Sequence, residues 1–79
     1  MDVDIALFAS LSDLHMPGVP GGRTRTYSLA DGTTIADVIG MLDLPDQPRI
    51  IFVDGRHAEE SAELLDGQRL AIFPPVAGG

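Results

Sequence analysis

The chain predicts an α+β roll: a mixed sheet of four to five strands packed on one main helix, with an extended C-terminal Gly-Gly tail. Three observations carry that prediction. Only one segment has clear helical periodicity, with Ile35, Val38, Ile39 and Leu42 at the i, i+3, i+4, i+7 spacing of a single buried stripe. Short apolar or alternating runs, bounded by Gly, Pro and Asp-Gly pairs, lie on either side of it in the manner of strands. Length narrows the choice further. A chain of 79 residues makes one small domain, which buries only about 60–65% of its unfolded surface and has little room for an enclosed active site.

Val3 to Ala9 alternates, with Val3, Ile5 and Leu7 on one side and Asp4, Ala6 and Phe8 on the other, and reads as a first strand. Asp13 to Gly22 holds Pro17-Gly18, Pro20 and Gly21-Gly22 and reads as a mobile surface loop. Arg23 to Leu29 is a second strand returning antiparallel. Asp31-Gly32 turns into the helix, where Thr34 and Asp37 have capping-box spacing with Asp in place of Glu. Gly40 weakens that helix by up to about 1 kcal/mol relative to Ala. Pro45 is expected to end it, because the residue before proline avoids helical geometry. Ile50-Ile51-Phe52-Val53 is continuous and apolar, as in a strand covered on both faces. Asp54-Gly55 signals a hairpin into a short strand around Arg56 to Ala58. Glu59 to Leu65 is compatible with one helical turn, and Asp66-Gly67 turns into a last strand, Arg69 to Phe73. The domain is expected to span residues 1–75 and the tail residues 76–79.

Charge excludes some functions. Twelve acids oppose five arginines, for a net charge of −7, and there is no lysine and no cysteine. Nucleic-acid binding through a basic face is therefore not expected, whereas a basic partner surface would attract the chain. Without lysine the chain offers no ε-amine as an isopeptide acceptor. No apolar run approaches the roughly 18 residues of a membrane span, and Met1-Asp2-Val3-Asp4 is unlike a secretory signal. A cytoplasmic location is the expectation.

His15 and His57 lack neighbours at ligand or catalytic spacing and read as solvated, and no metal site is expected. Glu59, Glu60, Glu63 and Asp66 read as a charged surface. Asp2 and Asp4 share one side of the first strand, where they would discourage edge-to-edge pairing if that edge is open. Arg49, Arg56 and Arg69 read as solvated, within reach of an acidic partner. If Val3, Ile5, Leu7, Leu70 and Ile72 face the helix, alternation puts Phe8, Phe52 and Phe73 on the opposite sheet face. One helix cannot cover both faces. The aromatics would then form a docking patch, unless loops or the Tyr27 ring fold over them.

The chain finishes Phe73-Pro74-Pro75-Val76-Ala77-Gly78-Gly79. Pro74-Pro75 holds polyproline II geometry and cannot complete a sheet ladder, so the tail should leave the domain. Glycine has no Cβ, so Gly78 and Gly79 fit channels closed to other residues. The six residues from Pro74 onward reach at most about 20 Å when extended, enough to enter a partner's active site.

With this ending, the element order, the size and the Asp66-Gly67 turn, the chain resembles the small subunit of molybdopterin synthase and its MoaD/ThiS-like relatives. These are ubiquitin-like β-grasp sulfur carriers that end in Gly-Gly. The Phe-Pro-Pro stretch resembles molybdopterin-type carriers more than thiamine-pathway ones. The Pro17–Gly22 loop departs from the pattern, since many relatives have a short helix there.

The resemblance implies a carrier and not an enzyme. Gly79 would be adenylated by an ATP-dependent, ubiquitin-activating-like adenylyltransferase and converted to a thiocarboxylate with sulfur from a sulfurtransferase or cysteine desulfurase. The tail would then deliver sulfur inside the large synthase subunit for molybdenum or tungsten cofactor synthesis. No cofactor would be bound, ATP being used by the activating partner. Gly78 and Gly79 are the reacting tail, and Phe8, Phe52, Phe73, Pro74, Pro75, Val76 and Ala77 the partner contacts. Without a thiol, the terminal carboxylate is the one attachment point for sulfur. Delivery to thiazole, cysteine or a tRNA base, conjugation to other proteins' lysines, and a plain interaction domain are the alternatives.

Overall fold

Five strands and one helix form among the described residues of the computed structural model, which are residues 1–8, 11 and 24–74. The strands are β1 (Asp2–Leu7), β2 (Thr24–Ser28), β3 (Ile50–Val53), β4 (Arg56–His57) and β5 (Arg69–Phe73), and the helix is α1 (Ile35–Met41). The sheet runs β2-β1-β5-β3-β4, with β1 parallel to β5 and the other neighbours antiparallel. This is the β-grasp roll that the resemblance implies. Ala9, the Pro17–Gly22 loop, His15 and the division between residues 1–75 and 76–79 lie outside the described residues.

Alternation decides which face is the core. Val3, Ile5 and Leu7 of β1 and Leu70 and Ile72 of β5 are fully buried, and α1 covers them with Ile35, Val38 and Ile39. Ile51, Leu64, Leu44 and Leu11 complete the cluster, with Leu42 packed at its margin. Burying a side chain of this size contributes about 1.5–3 kcal/mol. Among the described residues, no helix is long and apolar enough to cross a membrane.

The helix start follows the expected capping box. Asp37 N donates to Thr34 Oγ1 at 3.1 Å and Thr34 N donates to Asp37 Oδ2 at 3.0 Å. The helix end differs from the expectation. It comes at Met41, before Pro45, because Asp43 takes a left-handed φ of 54°. Asp43 N then donates to Gly40 O and Leu44 N to Ile39 O, each at 3.1 Å. That hydrogen-bond pair is a Schellman motif, closed by the apolar contact of Leu44 with the core. Asp is one of the few residues besides Gly that tolerate this conformation.

Glu59 to Leu65 is not a helical turn. Its carbonyls point at the start of α1: Ile35 N donates to Ala62 O at 3.0 Å and Ala36 N to Glu60 O at 2.8 Å. Thr34 and Glu63 form an isolated antiparallel bridge. The first helical N–H groups lack partners within their own helix, and this segment supplies them instead of closing a helix of its own.

Two further expectations are corrected by the sheet order. β3 is covered on one face only, since Ile51 is 4% exposed and Ile50 is 37% exposed. β1 lies between β2 and β5, so Asp2 and Asp4 protect no edge. Asp4 Oδ1 instead accepts from Thr26 Oγ1 at 2.6 Å, and Asp66 Oδ1 accepts from Asp2 N at 2.7 Å.

Candidate functional site: an aromatic face beside the last strand

Across β1, β5 and β3 the register aligns Ala6 with Ala71, Ala71 with Phe52, and Ile50 with Phe73. These residues alternate with the helix-facing set, so they lie on the sheet face away from α1, where Ala6 is nonetheless fully buried. Phe8 N donates to Ile72 O at 3.2 Å, which carries the parallel pairing one residue past β1. That places the Phe8 ring over Phe73, with centroids 4.2 Å apart and planes 7° from parallel. Phe52 meets Phe73 edge-on, at 5.9 Å and 89°. The sequence expectation that Phe8, Phe52 and Phe73 share one face is therefore met.

His57 extends the cluster, meeting Phe52 edge-on at 5.2 Å and 78°. His57 is exposed, as the sequence reading expects, and only its place beside Phe52 goes beyond that reading, although the sequence carries a usable signal for it. A two-residue Asp54-Gly55 turn forces Val53 opposite Arg56 and therefore Phe52 opposite His57. Asp54 and Gly55 both have positive φ, 51° and 80°, as a type I′ turn requires.

None of the three phenylalanines is buried; each is half-exposed, as is Pro74. Tyr27 does not shield them. It stands opposite Val3 and packs on the core from the helix side, with the Arg25 guanidinium 5.4 Å from its ring centroid. The open face divides into two zones. Phe8, Phe73, Phe52, His57 and Ile50 gather where β5 ends, while Asp2, Asp4, Thr26 and Arg69 make the opposite end polar.

The other candidates separate from this site. Arg49 is not a solvated surface residue: its side chain is 9% exposed, pairs with Glu60 at 3.3 Å and donates to Pro45 O. Arg56 and Arg69 are exposed. Glu60 is thus committed to Arg49, and no group of three or more acidic or histidine side chains suited to a metal forms among the described residues. Of the tail, only Pro74 is described; Pro75, Val76, Ala77, Gly78 and Gly79 lie outside the described residues. Since β5 runs through Phe73, the chain leaves the sheet directly at the aromatic zone.

Comparison with known proteins places this geometry. The ThiS family model matches residues 5–79. SAMP1 from Haloferax volcanii has a similar structure, with a TM-score of 0.73 at 24% identity, covering 100% of each chain. A putative molybdopterin converting factor subunit 1 from Pyrococcus furiosus gives a TM-score of 0.75 at 24% identity, over 96% of this chain and 99% of that one. A complex of subunits 1 and 2 of the molybdopterin-converting factor from Helicobacter pylori gives 0.63 at 16% identity, with 100% of both chains covered. At these identities the likeness shows a shared fold. No curated protein matches the chain.

Proposed function

The chain belongs to the ThiS family, and on that premise we propose that it is a non-catalytic sulfur carrier, the small subunit of a molybdopterin synthase. Gly79 is the reacting residue. A free carboxylate is a poor electrophile, so a partner enzyme first uses ATP to form the acyl-adenylate. Sulfide-level sulfur attacks the carbonyl carbon, the C–S bond forms, AMP leaves, and a thiocarboxylate remains. The tail then carries that sulfur into the catalytic subunit, where acid, base and substrate contacts are supplied. Gly78 permits close approach of the backbone in the channel.

The observation that carries this reading is the aromatic zone at the point where the chain leaves the sheet. Phe8 stacks on Phe73 and Phe52 meets Phe73 edge-on, all three half-exposed, and β5 leads from them straight into Pro74. Aromatic side chains at a packed, partly exposed centre are the usual anchors of a protein interface. Docking there aims the tail at one place on the partner. The Phe73-Pro74-Pro75 run supports the molybdopterin pathway over thiazole, cysteine or tRNA thiolation. The family match, which continues to residue 79, supports a role for the diglycine.

A second reading has the same activated Gly79 joined to lysines of other proteins, and the likeness to a small archaeal modifier protein favours keeping it in view. An intact mass of the protein from its native cell separates the two. A gain equal to one oxygen replaced by sulfur is the expected result. Adducts on target lysines with no thiocarboxylate would move the assignment to the modifier. Unchanged cofactor synthesis after deletion of Gly79 would overturn the carrier reading, and unchanged lysine adducts after the same deletion would overturn the modifier reading.

A further inference from the structure

Among the described residues β2 is one edge of the sheet, and the hydrogen-bond phase of the β1–β2 ladder shows which of its backbone groups face outward. Met1 N donates to Leu29 O at 2.8 Å while Leu29 N donates to Met1 O at 2.7 Å, so these residues form a hydrogen-bonded pair. Such pairs alternate along an antiparallel ladder. Val3 with Tyr27 and Ile5 with Arg25 are therefore bonded pairs, whereas Asp2 with Ser28, Asp4 with Thr26 and Ala6 with Thr24 are not. The other side of β1 agrees: Asp4 N donates to Gln68 O and Asp2 O accepts from Gly67 N, both away from β2. The N–H and C=O groups of Thr24, Thr26 and Ser28 accordingly point outward, and they take no backbone partner among the described residues. The strand carries no proline, and every residue in it except Tyr27 is exposed. An edge of this kind is a template for another strand.

We infer that its occupant is β2 of a second copy of this chain, paired antiparallel about Thr26. The run Thr24-Arg25-Thr26-Tyr27-Ser28 complements itself when reversed. With Thr26 opposite Thr26 of the second copy, Thr24 faces Ser28, and each outward N–H meets an outward C=O. Arg25 then stands opposite the second copy's Tyr27, in the closer, non-hydrogen-bonded type of pair. Its guanidinium lies 5.4 Å from its own Tyr27 ring, and the second ring offers it another π face. No like charges oppose each other in this register. On the other sheet face hydroxyl meets hydroxyl, a favourable cross-strand pairing. The contact is isologous and closed, so it stops at two copies. It joins the two sheets into one, with both copies of α1 on the same side. Because β1 separates β2 from β5, and the two copies of β5 run in opposite directions, both aromatic zones stay open at opposite ends. Pairing of a five-residue strand buries less than the roughly 1,200 Å² of a standard interface. Two chains of net charge −7 also repel each other. The association is therefore weak and reversible, and salt strengthens it by screening.

Pairing of this kind is independent of the carrier reading, and its test leaves Gly79 alone. The full chain, isotope-labelled, is followed by sedimentation velocity and amide NMR as its concentration rises to the millimolar range. A reversible monomer–dimer equilibrium is expected, with concentration-dependent shifts and slowed amide exchange at Thr24, Thr26 and Ser28. Compared at high salt, Arg25→Glu should lose the dimer, while Arg56→Glu, the same charge change on exposed β4, should keep it. In a chain without cysteine of its own, Thr26→Cys should oxidise to a disulfide-linked dimer faster than the exposed Ser61→Cys. A monomer at every concentration overturns the inference and leaves the edge to a strand of another protein. So does a dimer whose shifts fall on Phe8, Phe52 and Phe73, since the aromatic face would then be the contact. Equal losses in Arg25→Glu and Arg56→Glu, or equal oxidation of the two cysteine variants, would also overturn it.

Discussion

Replacing Phe73 with alanine tests whether the aromatic face is an interface or only an outer layer of the fold. A fully buried Phe→Ala change costs about 3–5 kcal/mol. Phe73 is half-exposed, but it loses its stack on Phe8 at 4.2 Å and its edge contact with Phe52 at 5.9 Å. Such pairs are worth about 0.5–1.5 kcal/mol each beyond their area. A stability loss of about 2 kcal/mol follows, which lowers Tm by roughly 8–16 °C in a domain of this size. If Phe73 is also a central anchor for the catalytic subunit, affinity falls by a further 2–4 kcal/mol or so, about 30- to 1,000-fold. The control is Ile39→Ala, a core change on the helix side with a comparable stability cost of about 2–5 kcal/mol. Affinity is measured by calorimetry at a temperature where circular dichroism shows both variants folded. Phe73→Ala should bind far more weakly while Ile39→Ala binds like the parent. Equal affinity losses in the two variants would refute the docking argument.

Two further expectations concern α1 and are checked by thermal and urea unfolding. Gly40 is exposed in the helix, and a Cβ there meets nothing within 4 Å, so Gly40→Ala should stabilise by about 0.5–1 kcal/mol. Asp43 holds a left-handed φ of 54° at the helix end, so Asp43→Gly should stabilise by about 0.5–1 kcal/mol, the removed strain exceeding the added chain entropy. A loss of stability in either variant would contradict the local geometry described.

Local signals in the sequence were enough for most of the architecture. The stripe of Ile35, Val38 and Ile39, the Thr34–Asp37 box and the Asp54-Gly55 hairpin each depend on residues close in sequence, and each is present. Alternation along β1 and β5 separated the aromatic face from the core before any pairing was known. What sequence reasoning missed depends on partners distant in the chain. Glu59–Leu65 carries helix-forming residues, but its backbone is committed to the start of α1, some 25 residues earlier in the sequence. Ile50 looked buried because its neighbours are apolar, although the sheet has no second layer over it among the described residues. Arg49 looked like surface until Glu60 and Pro45 enclosed its guanidinium. The helix end was assigned to Pro45 because proline is the stronger written signal, while Asp43 reveals its role only through φ.

The sheet order has a mechanical consequence. β5 sits between β1 and β3, and β1 runs in its own direction. A pull between Met1 and Pro74 therefore drags these two strands lengthwise past each other and strains every rung between them at once. Load applied along β5 is shared by that whole row of bonds, so the domain resists being drawn apart along the strand direction.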